Sequence, residues 1–248
     1  MKKVIITGAS GGIGKALAEA YAAKGYSVGL TARRYEKLEE IQASLRAQYS
    51  QKDQIIEIAV LDVDQFETVQ PILHELADKL GGVDVVIVNA GVNKTTKVGG
   101  GHLLQEQQII QTNITGAIAT VNAAAEYFLK QGHGHVVGIS SLAALVAIPR
   151  QAVYCASKAA VSMYLESARM ELARKNIDVT TITPGFIKTD IVPGIEKYPF
   201  IVSPEKAAIE MLSLIERRKK TGIVPAWPWK FVKPFFGLIP DAVWSKMG

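Results

Sequence analysis

The chain has 248 residues, of which 21% are charged, with a formal net charge of +5 and one cysteine. This length suits a single α/β domain with one core. The modest charge does not indicate nucleic-acid binding, and one cysteine excludes an internal disulfide.

Several further features favour a soluble cytoplasmic protein. No segment reaches the ~18 consecutive apolar residues that a membrane-spanning helix needs. The amino terminus runs directly into the first predicted strand, which leaves no room for a cleavable signal. The four histidines and single cysteine show no ligand spacing, so we expect no metal.

The chain opens with an apolar, β-branched strand, Val4 to Ile6, followed by the glycine-rich segment TGASGGIG from Thr7 to Gly14. An amphipathic helix is predicted from Lys15 to Lys24. Glycines in such a turn permit close approach of the backbone to a pyrophosphate, and the helix amino terminus attracts the anion. The alternative is a strand-to-helix turn that needs glycine only for its geometry. The strand and helix on either side favour phosphate binding.

The second predicted strand, Ser27 to Ala32, ends in Arg33 and Arg34. An acidic residue at this place binds the ribose of NAD. A guanidinium can instead form two hydrogen bonds with the 2′-phosphate of NADP, which a carboxylate would repel. We therefore predict NADP(H) as the preferred cofactor, with NAD(H) as the alternative and Arg33 favoured over Arg34. Both arginines can also simply open a solvated helix.

Two later strand ends are weaker candidates for cofactor contacts. Asp62 and Val63 follow the predicted strand from Ile55 to Leu61, and Asn89-Ala90-Gly91 follows the strand from Val83 to Val88. Asp62 can hydrogen-bond the adenine amino group, and the small residues let the backbone lie against the ribose. Ordinary turn chemistry explains the same residues.

A second constellation suggests proton transfer. Tyr154 and Lys158 stand four residues apart on one predicted helix face, and Ser141 follows an apolar strand from His135 to Ser140. Because a nearby ammonium favours the phenolate, we expect Lys158 to lower the pKa of Tyr154 from its reference value near 10. Ser141 and Tyr154 can then stabilise negative charge on a carbonyl oxygen. The alternative for Tyr154 is an aromatic side chain at a packing contact.

Together these motifs resemble the short-chain dehydrogenase/reductase family in its classical form. The resemblance runs from Lys3 to about Val224 and adds an active-site asparagine and a PGxxxT segment near the nicotinamide. It implies catalytic roles for Asn113, Ser141, Tyr154 and Lys158. It also implies cofactor contacts from Gly8, Ser10, Gly12, Ile13, Gly14, Tyr154, Lys158, Pro184, Gly185 and Thr189.

The resemblance also implies roles for particular side chains and for the assembly. Lys158 would bind the nicotinamide ribose, and Asn113 would hold a water that relays protons. The predicted long helices from Leu103 to Gln131 and from Gln151 to Lys175 would form a homodimer, with a tetramer as the other possibility.

The alternation of strands and helices predicts an α/β fold, a doubly wound parallel sheet in three αβα layers of the Rossmann type. Residues 1–224 form the single nucleotide-binding and catalytic domain, ending in a helix from Pro204 to Lys219 and a strand from Thr221 to Val224. Residues 225–248 form an extension rich in aromatic residues and proline, which we expect to pack on this domain or on a partner. Its lysines leave peripheral membrane contact open.

The sequence thus predicts an NADPH-dependent reductase of a ketone or aldehyde on a small, hydrophobic molecule, since two segments poor in charge can wall an apolar pocket. The first is Leu142 to Arg150, and the second follows Thr189 and includes Ile191, Val192, Pro193, Ile195, Tyr198, Phe200 and Ile201. The alternatives are an NAD-dependent alcohol dehydrogenase of the same family and a non-catalytic NADPH sensor.

Overall fold

A computed structural model of the protein describes residues 1–49, 53–189, 191, 194–195 and 198–238. Seven parallel strands form one sheet in the order β3-β2-β1-β4-β5-β6-β7. They are β1 Lys3–Thr7, β2 Ser27–Ala32, β3 Ile56–Val60, β4 Val85–Val88, β5 Gly134–Ile139, β6 Ile177–Pro184 and β7 Thr221–Val224. The order reverses direction between β1 and β4, so the crevice at their carboxyl ends is where ligands bind in folds of this kind.

Helices cover both faces of the sheet. They are α1 Gly12–Ala23, α2 Tyr35–Gln48, α3 Phe66–Lys79, α4 Leu103–Ile110, α5 Ala117–Gln131, α6 Ala152–Leu172, α7 Pro204–Glu216 and α8 Trp229–Val232. One buried cluster joins α1, α2 and α7 to the sheet. A second cluster joins α3, α5 and α6 to the opposite face. The predicted doubly wound, three-layer α/β fold is therefore confirmed.

Burial on both faces explains why the strands are rich in apolar residues. Every residue of β2 and β5 is buried, as expected for a parallel sheet with a helical layer on each side. Gly134 and Gly138 in β5 make room for large side chains from that layer. A Cβ at Gly134 would overlap the ring of Phe128, and one at Gly138 would overlap Leu165.

The predicted single helix from Leu103 to Gln131 is wrong in detail. A π-helical turn, Gln111–Gly116, separates α4 from α5. Here the chain lies close to the loop after β3, and a Cβ on Gly116 would be only 2.8 Å from Val63. Such turns occur mostly at functional sites, and this one contains Asn113. A further difference is that α1 begins at Gly12, inside the glycine-rich segment, rather than at Lys15.

The first part of the aromatic extension folds back onto the domain. Trp229 in α8 and Phe236 in the following 3₁₀ turn, Lys233–Leu238, are both 8% exposed. They form a small cluster with Leu142. Residues 239–248 of the extension lie outside the described residues. Among the described residues, no helix is both long and apolar enough to cross a membrane.

Candidate active site

A cavity of about 420 Å³ opens at the carboxyl ends of the central strands. Seventeen of the nineteen predicted site residues line it, and only Gly14 and Asn113 do not. The lining set is Gly8, Ser10, Gly12, Ile13, Arg33, Arg34, Asp62, Val63, Asn89, Ala90, Gly91, Ser141, Tyr154, Lys158, Pro184, Gly185 and Thr189. The fold therefore brings the glycine-rich turn and the tyrosine–lysine pair into one site.

The glycine-rich turn forms a cradle without side chains. Gly8 and Gly12 have φ angles of 67° and 53°, which glycine adopts without strain. A Cβ on Gly8 would lie 2.8 Å from the Cα of Ala90. No side chain caps α1, and its first turn carries no acidic residue. The free N–H groups and positive dipole end of this helix therefore remain available to an anion.

Gly14 lies behind this cradle. A Cβ there would overlap the Gly8 carbonyl and approach Asn89 Nδ2 at 2.7 Å. Asn89 Nδ2 donates to the carbonyls of Thr7 at 2.9 Å and of Gly8 at 3.2 Å. These bonds hold the ends of β1 and β4 together. Gly14 and Asn89 thus shape the backbone of the cradle from behind.

The two arginines after β2 take different positions. Arg34 Nη2 donates to Ser10 Oγ at 2.9 Å, so its guanidinium reaches back over the glycine-rich turn. Arg33 Nη1 lies 4.0 Å from Asp64 Oδ2, and 57% of its side chain is exposed. The sequence favours Arg33 over Arg34, yet Arg34 is the arginine that contacts the glycine-rich turn, and both line the cavity.

Asp62 and Val63 stand at the end of the strand beside these arginines. Asp62 Oδ1 accepts from the backbone N–H of Asp64 at 3.2 Å, and Val63 is buried against Gly116. The Asp62 bond is the turn chemistry that the sequence left open as an alternative. Both residues still face the cavity, so a ligand there would meet an acceptor beside an apolar wall.

Ser141 and Tyr154 meet at the other end of the cavity. Ser141 begins the short 3₁₀ turn Leu142–Ala144, and its Oγ accepts from the Ala143 N–H at 3.1 Å. Burial raises the pKa of Tyr154 from 10.0 to about 12, although its hydrogen bond with Ser141 acts in the opposite direction. The phenol therefore holds its proton throughout the neutral pH range.

Lys158 is buried behind the tyrosine. Its Nζ donates to the Ile139 carbonyl at 3.1 Å and lies 5.9 Å from the centroid of the Tyr154 ring. Burial lowers the pKa of Lys158 from 10.5 to about 8. The expected lowering of the Tyr154 pKa is wrong for the protein alone, because desolvation of the phenolate is the largest effect and raises this pKa.

Asn113 supports the site from the π-helical turn. Its Oδ1 accepts from the Val92 N–H at 2.8 Å, and its Nδ2 donates to the Val92 carbonyl at 2.9 Å and to Ser157 Oγ at 3.0 Å. The side chain therefore joins the loop after β4 to α6. Ser140, the neighbour of Ser141, bonds to Ser162 Oγ at 2.6 Å and so belongs to the strand–helix packing.

The predicted apolar walls are present in part. Val146, Ile148, Ile191, Ile195 and Tyr198 line the cavity, whereas Leu145 and Phe200 do not, and Val192 and Pro193 lie outside the described residues. Sequence reasoning missed other lining residues, among them Asn93, Gln151 and Phe186. Trp229 and Phe236, which also line the cavity, belong to the extension that was expected to pack on the domain. Spacing offered one usable signal, since Gln151 precedes Tyr154 by three residues on the same helix face.

These residues fit a dinucleotide with an additional phosphate. The cradle leaves backbone donors free where side chains would block an anion, and two guanidinium groups stand beside it. Within the described ranges, no group of three or more His, Cys, Asp or Glu side chains is placed to hold a metal ion. The cavity also presents the hydroxyls of Ser141 and Tyr154 and the ammonium of Lys158.

Comparison with known proteins identifies the family. The family model described as short chain dehydrogenase matches residues 2–198. An uncharacterized oxidoreductase of Mycobacterium tuberculosis is 38% identical over 229 residues, which cover 92% of this chain and 90% of that protein. The chain therefore belongs to the short-chain dehydrogenase/reductase family.

Solved structures agree with this assignment. An alcohol dehydrogenase from Thermococcus sibiricus, complexed with 5-hydroxy-NADP, has a TM-score of 0.80 and 25% identity, covering 90% of this chain and 95% of its own. A short-chain dehydrogenase from Sphingobium yanoikuyae, in complex with NADPH, has a TM-score of 0.85 and 24% identity over 96% and 93% of the two chains, which supports the fold. The protein is an oxidoreductase that uses a nicotinamide cofactor.

Proposed function

We propose that this protein reduces a ketone or aldehyde on a small, apolar molecule and uses NADPH. The observation that carries the proposal is the meeting of Ser141, Tyr154 and Lys158 at one end of the cavity whose other end holds the glycine-rich cradle. When bound, the cofactor supplies a hydride to the carbonyl carbon. The protein supplies the proton and stabilises the charge that grows on the carbonyl oxygen.

Tyr154 is the proton donor in this proposal. Its pKa of about 12 keeps the phenol protonated before the reaction, as reduction requires. As negative charge grows on the substrate oxygen, the phenol O–H bond breaks, and its proton forms the alcohol hydroxyl. Lys158 makes the resulting phenolate less costly through its positive charge, and Ser141 donates a second hydrogen bond to the oxygen.

The remaining residues would position the reactants. The backbone around Gly8 and Gly12 would hold the pyrophosphate, with Ser10 and Ile13 in the same turn. Ala90 and Gly91 would lie against the adenine ribose, with Asp62 and Val63 at the adenine. Pro184, Gly185 and Thr189 would border the nicotinamide. Asn113 would act indirectly, through Val92 and Ser157.

Replacing the phenol hydroxyl tests the catalytic proposal. Tyr154→Phe should bind NADPH as the wild type does and lose nearly all turnover, because only the proton donor is removed. Cofactor binding is followed by fluorescence titration, and turnover by NADPH oxidation with a panel of ketones and aldehydes. Near-normal kcat in this variant would reject Tyr154 as the acid. Loss of NADPH binding would instead indicate a structural role for the hydroxyl.

The preference for NADPH rests on Arg33 and Arg34. A charge-assisted hydrogen bond contributes about 1.5–3 kcal/mol, so Arg33→Ala and Arg34→Ala should each weaken NADPH binding by about tenfold to a hundredfold. NADH binding should change little, and Arg174→Ala, an exposed arginine beyond α6, is the matched control. Tighter binding of NADH than NADPH by the wild type would favour the NAD-dependent alcohol dehydrogenase.

A second candidate is an NADPH sensor without turnover. It would bind the cofactor in the same cradle and have no need of Ser141, Tyr154 and Lys158 as a proton-donating group. Wild-type protein that binds NADPH but oxidises it with none of the carbonyl compounds in the panel would favour this role.

We also propose that the aromatic extension contacts a lipid surface and that the long helices form a homodimer. Trp227, Phe231 and Phe235 are 70%, 61% and 58% exposed, and exposed lysines separate them; this supports peripheral contact with a lipid surface. Co-sedimentation with anionic vesicles tests this, and a Phe231→Ser, Phe235→Ser variant that sediments as the wild type does would reject it.

A homodimer through α5 and α6 is tested by sedimentation equilibrium.

A further inference from the structure

The far wall of the cavity is built from aromatic side chains. Phe186 stacks on Tyr198 with ring centroids 4.5 Å apart and planes inclined by 25°. Trp229 meets Phe186 edge to face at 5.4 Å. Phe236 completes the wall beside Leu142. These four aromatic residues all line the cavity that contains Tyr154.

The carboxyl-terminal extension contributes Trp229 and Phe236 to this wall. Trp229 is 8% exposed, and its indole lies against the segment after β6, since a Cβ on Gly185 would be only 2.6 Å from Trp229 Nε1. Replacing Gly185 with any larger residue would push the indole away. Phe200 packs on the other side of the same indole, with ring planes at 90° and centroids 6.0 Å apart. Trp229 is therefore fixed on several sides.

We infer that Trp229 determines substrate specificity and that the site prefers a carbonyl compound with an aromatic ring at its far end over one with a straight acyl chain. The inference rests on the proposed reduction of an apolar carbonyl. A flat ring can pack against Phe186, Tyr198 and Trp229 in the offset or edge-to-face arrangements that aromatic rings favour, whereas a straight acyl chain cannot make such contacts. Trp229 acts here on the substrate's distal part and takes no part in proton transfer.

Two ketones with the same number of carbons provide the test. 4-Phenyl-2-butanone and 2-decanone each have ten carbons and the same groups beside the carbonyl, so their intrinsic reactivities are matched. We expect the wild type to favour the phenyl compound by about tenfold in kcat/KM, because the edge-to-face contacts are made by that ring alone. Trp229→Ala should remove most of this preference and improve the relative use of 2-decanone.

Trp227 supplies the matched control, since it is also a tryptophan of the extension but is 70% exposed and does not line the cavity. Trp227→Ala should leave the ratio of the two kcat/KM values within about twofold of wild type. Trp229→Phe keeps an aromatic ring in the wall and should retain most of the preference. It therefore separates loss of the ring from general damage to the fold.

Binding measurements separate this inference from the proposed reaction. Isothermal titration calorimetry of both ketones into the NADPH complex of Tyr154→Phe measures how tightly each ketone binds against the aromatic wall when no turnover occurs. Tighter binding of 4-phenyl-2-butanone, abolished by Trp229→Ala in the same background, supports the inference even if the wild type proves inactive. Equal binding of the two ketones, or an unchanged ratio in the Trp229→Ala protein, overturns it whether or not the enzyme turns over.

Discussion

Lys158 should make the protein less stable than it would be with an apolar residue at the same place. The side chain is 7% exposed, and burial lowers its pKa from 10.5 to about 8. Because one pKa unit corresponds to 1.36 kcal/mol, keeping this ammonium charged costs about 3 kcal/mol. Its charge-assisted hydrogen bond to the Ile139 carbonyl offsets at least about 1.5 kcal/mol of this cost. Lys158→Met should therefore raise the free energy of unfolding at pH 7 by about 1 kcal/mol.

The stability advantage of Lys158→Met should decrease as the pH rises. Below pH 8 the lysine is protonated in both the folded and the unfolded chain, so the folded protein bears the full cost. Between pH 8 and 10.5 the folded chain releases the proton first, and the cost is relieved as the pH rises. The advantage of Lys158→Met should consequently shrink to near zero at pH 10.

Urea unfolding followed by tryptophan fluorescence measures this difference. The measurement is made without cofactor at pH 7 and at pH 10, with Lys130→Met, on the exposed end of α5, as the control. A variant less stable than the wild type at pH 7, or one whose advantage is the same at both pH values, would refute the reasoning. In either case the ammonium would be solvated or paired rather than desolvated.

Two further predictions concern the scaffold. Burial lowers the pKa of His135 from 6.5 to about 4, so the folded state should lose stability as the pH falls from 6.5 to 4. The free energy of unfolding of His135→Gln, measured with urea, should rise by about 3 kcal/mol relative to that of the wild type between pH 7 and pH 4. The same pH dependence in both proteins would contradict this. Gly134→Ala should lower the free energy of unfolding by about 1–3 kcal/mol, because its Cβ would overlap Phe128. Adding Phe128→Leu to this variant should recover part of that stability. If the losses of the two substitutions simply add in the double variant, the overlap is contradicted.

The sequence determined the fold and most of the site because both depend on local order. Apolar strands that alternate with amphipathic helices specify a parallel sheet covered on both faces. In such a sheet the residues after each strand gather at one edge, so Gly8, Arg33, Asn89, Ser141 and Pro184 had to meet there. The four-residue spacing of Tyr154 and Lys158 likewise fixes their common helix face.

Only the tertiary structure decided what depends on contacts between distant segments. The pKa of Tyr154 follows from burial, which no spacing reveals, and the π-helical turn that contains Asn113 lies where Gly116 packs closely against Val63. The approach of Trp229 to Gly185 joins residues 44 positions apart along the chain. A chain's periodicity records which side of an element is buried, whereas the partner that buries it is chosen only when the elements pack together.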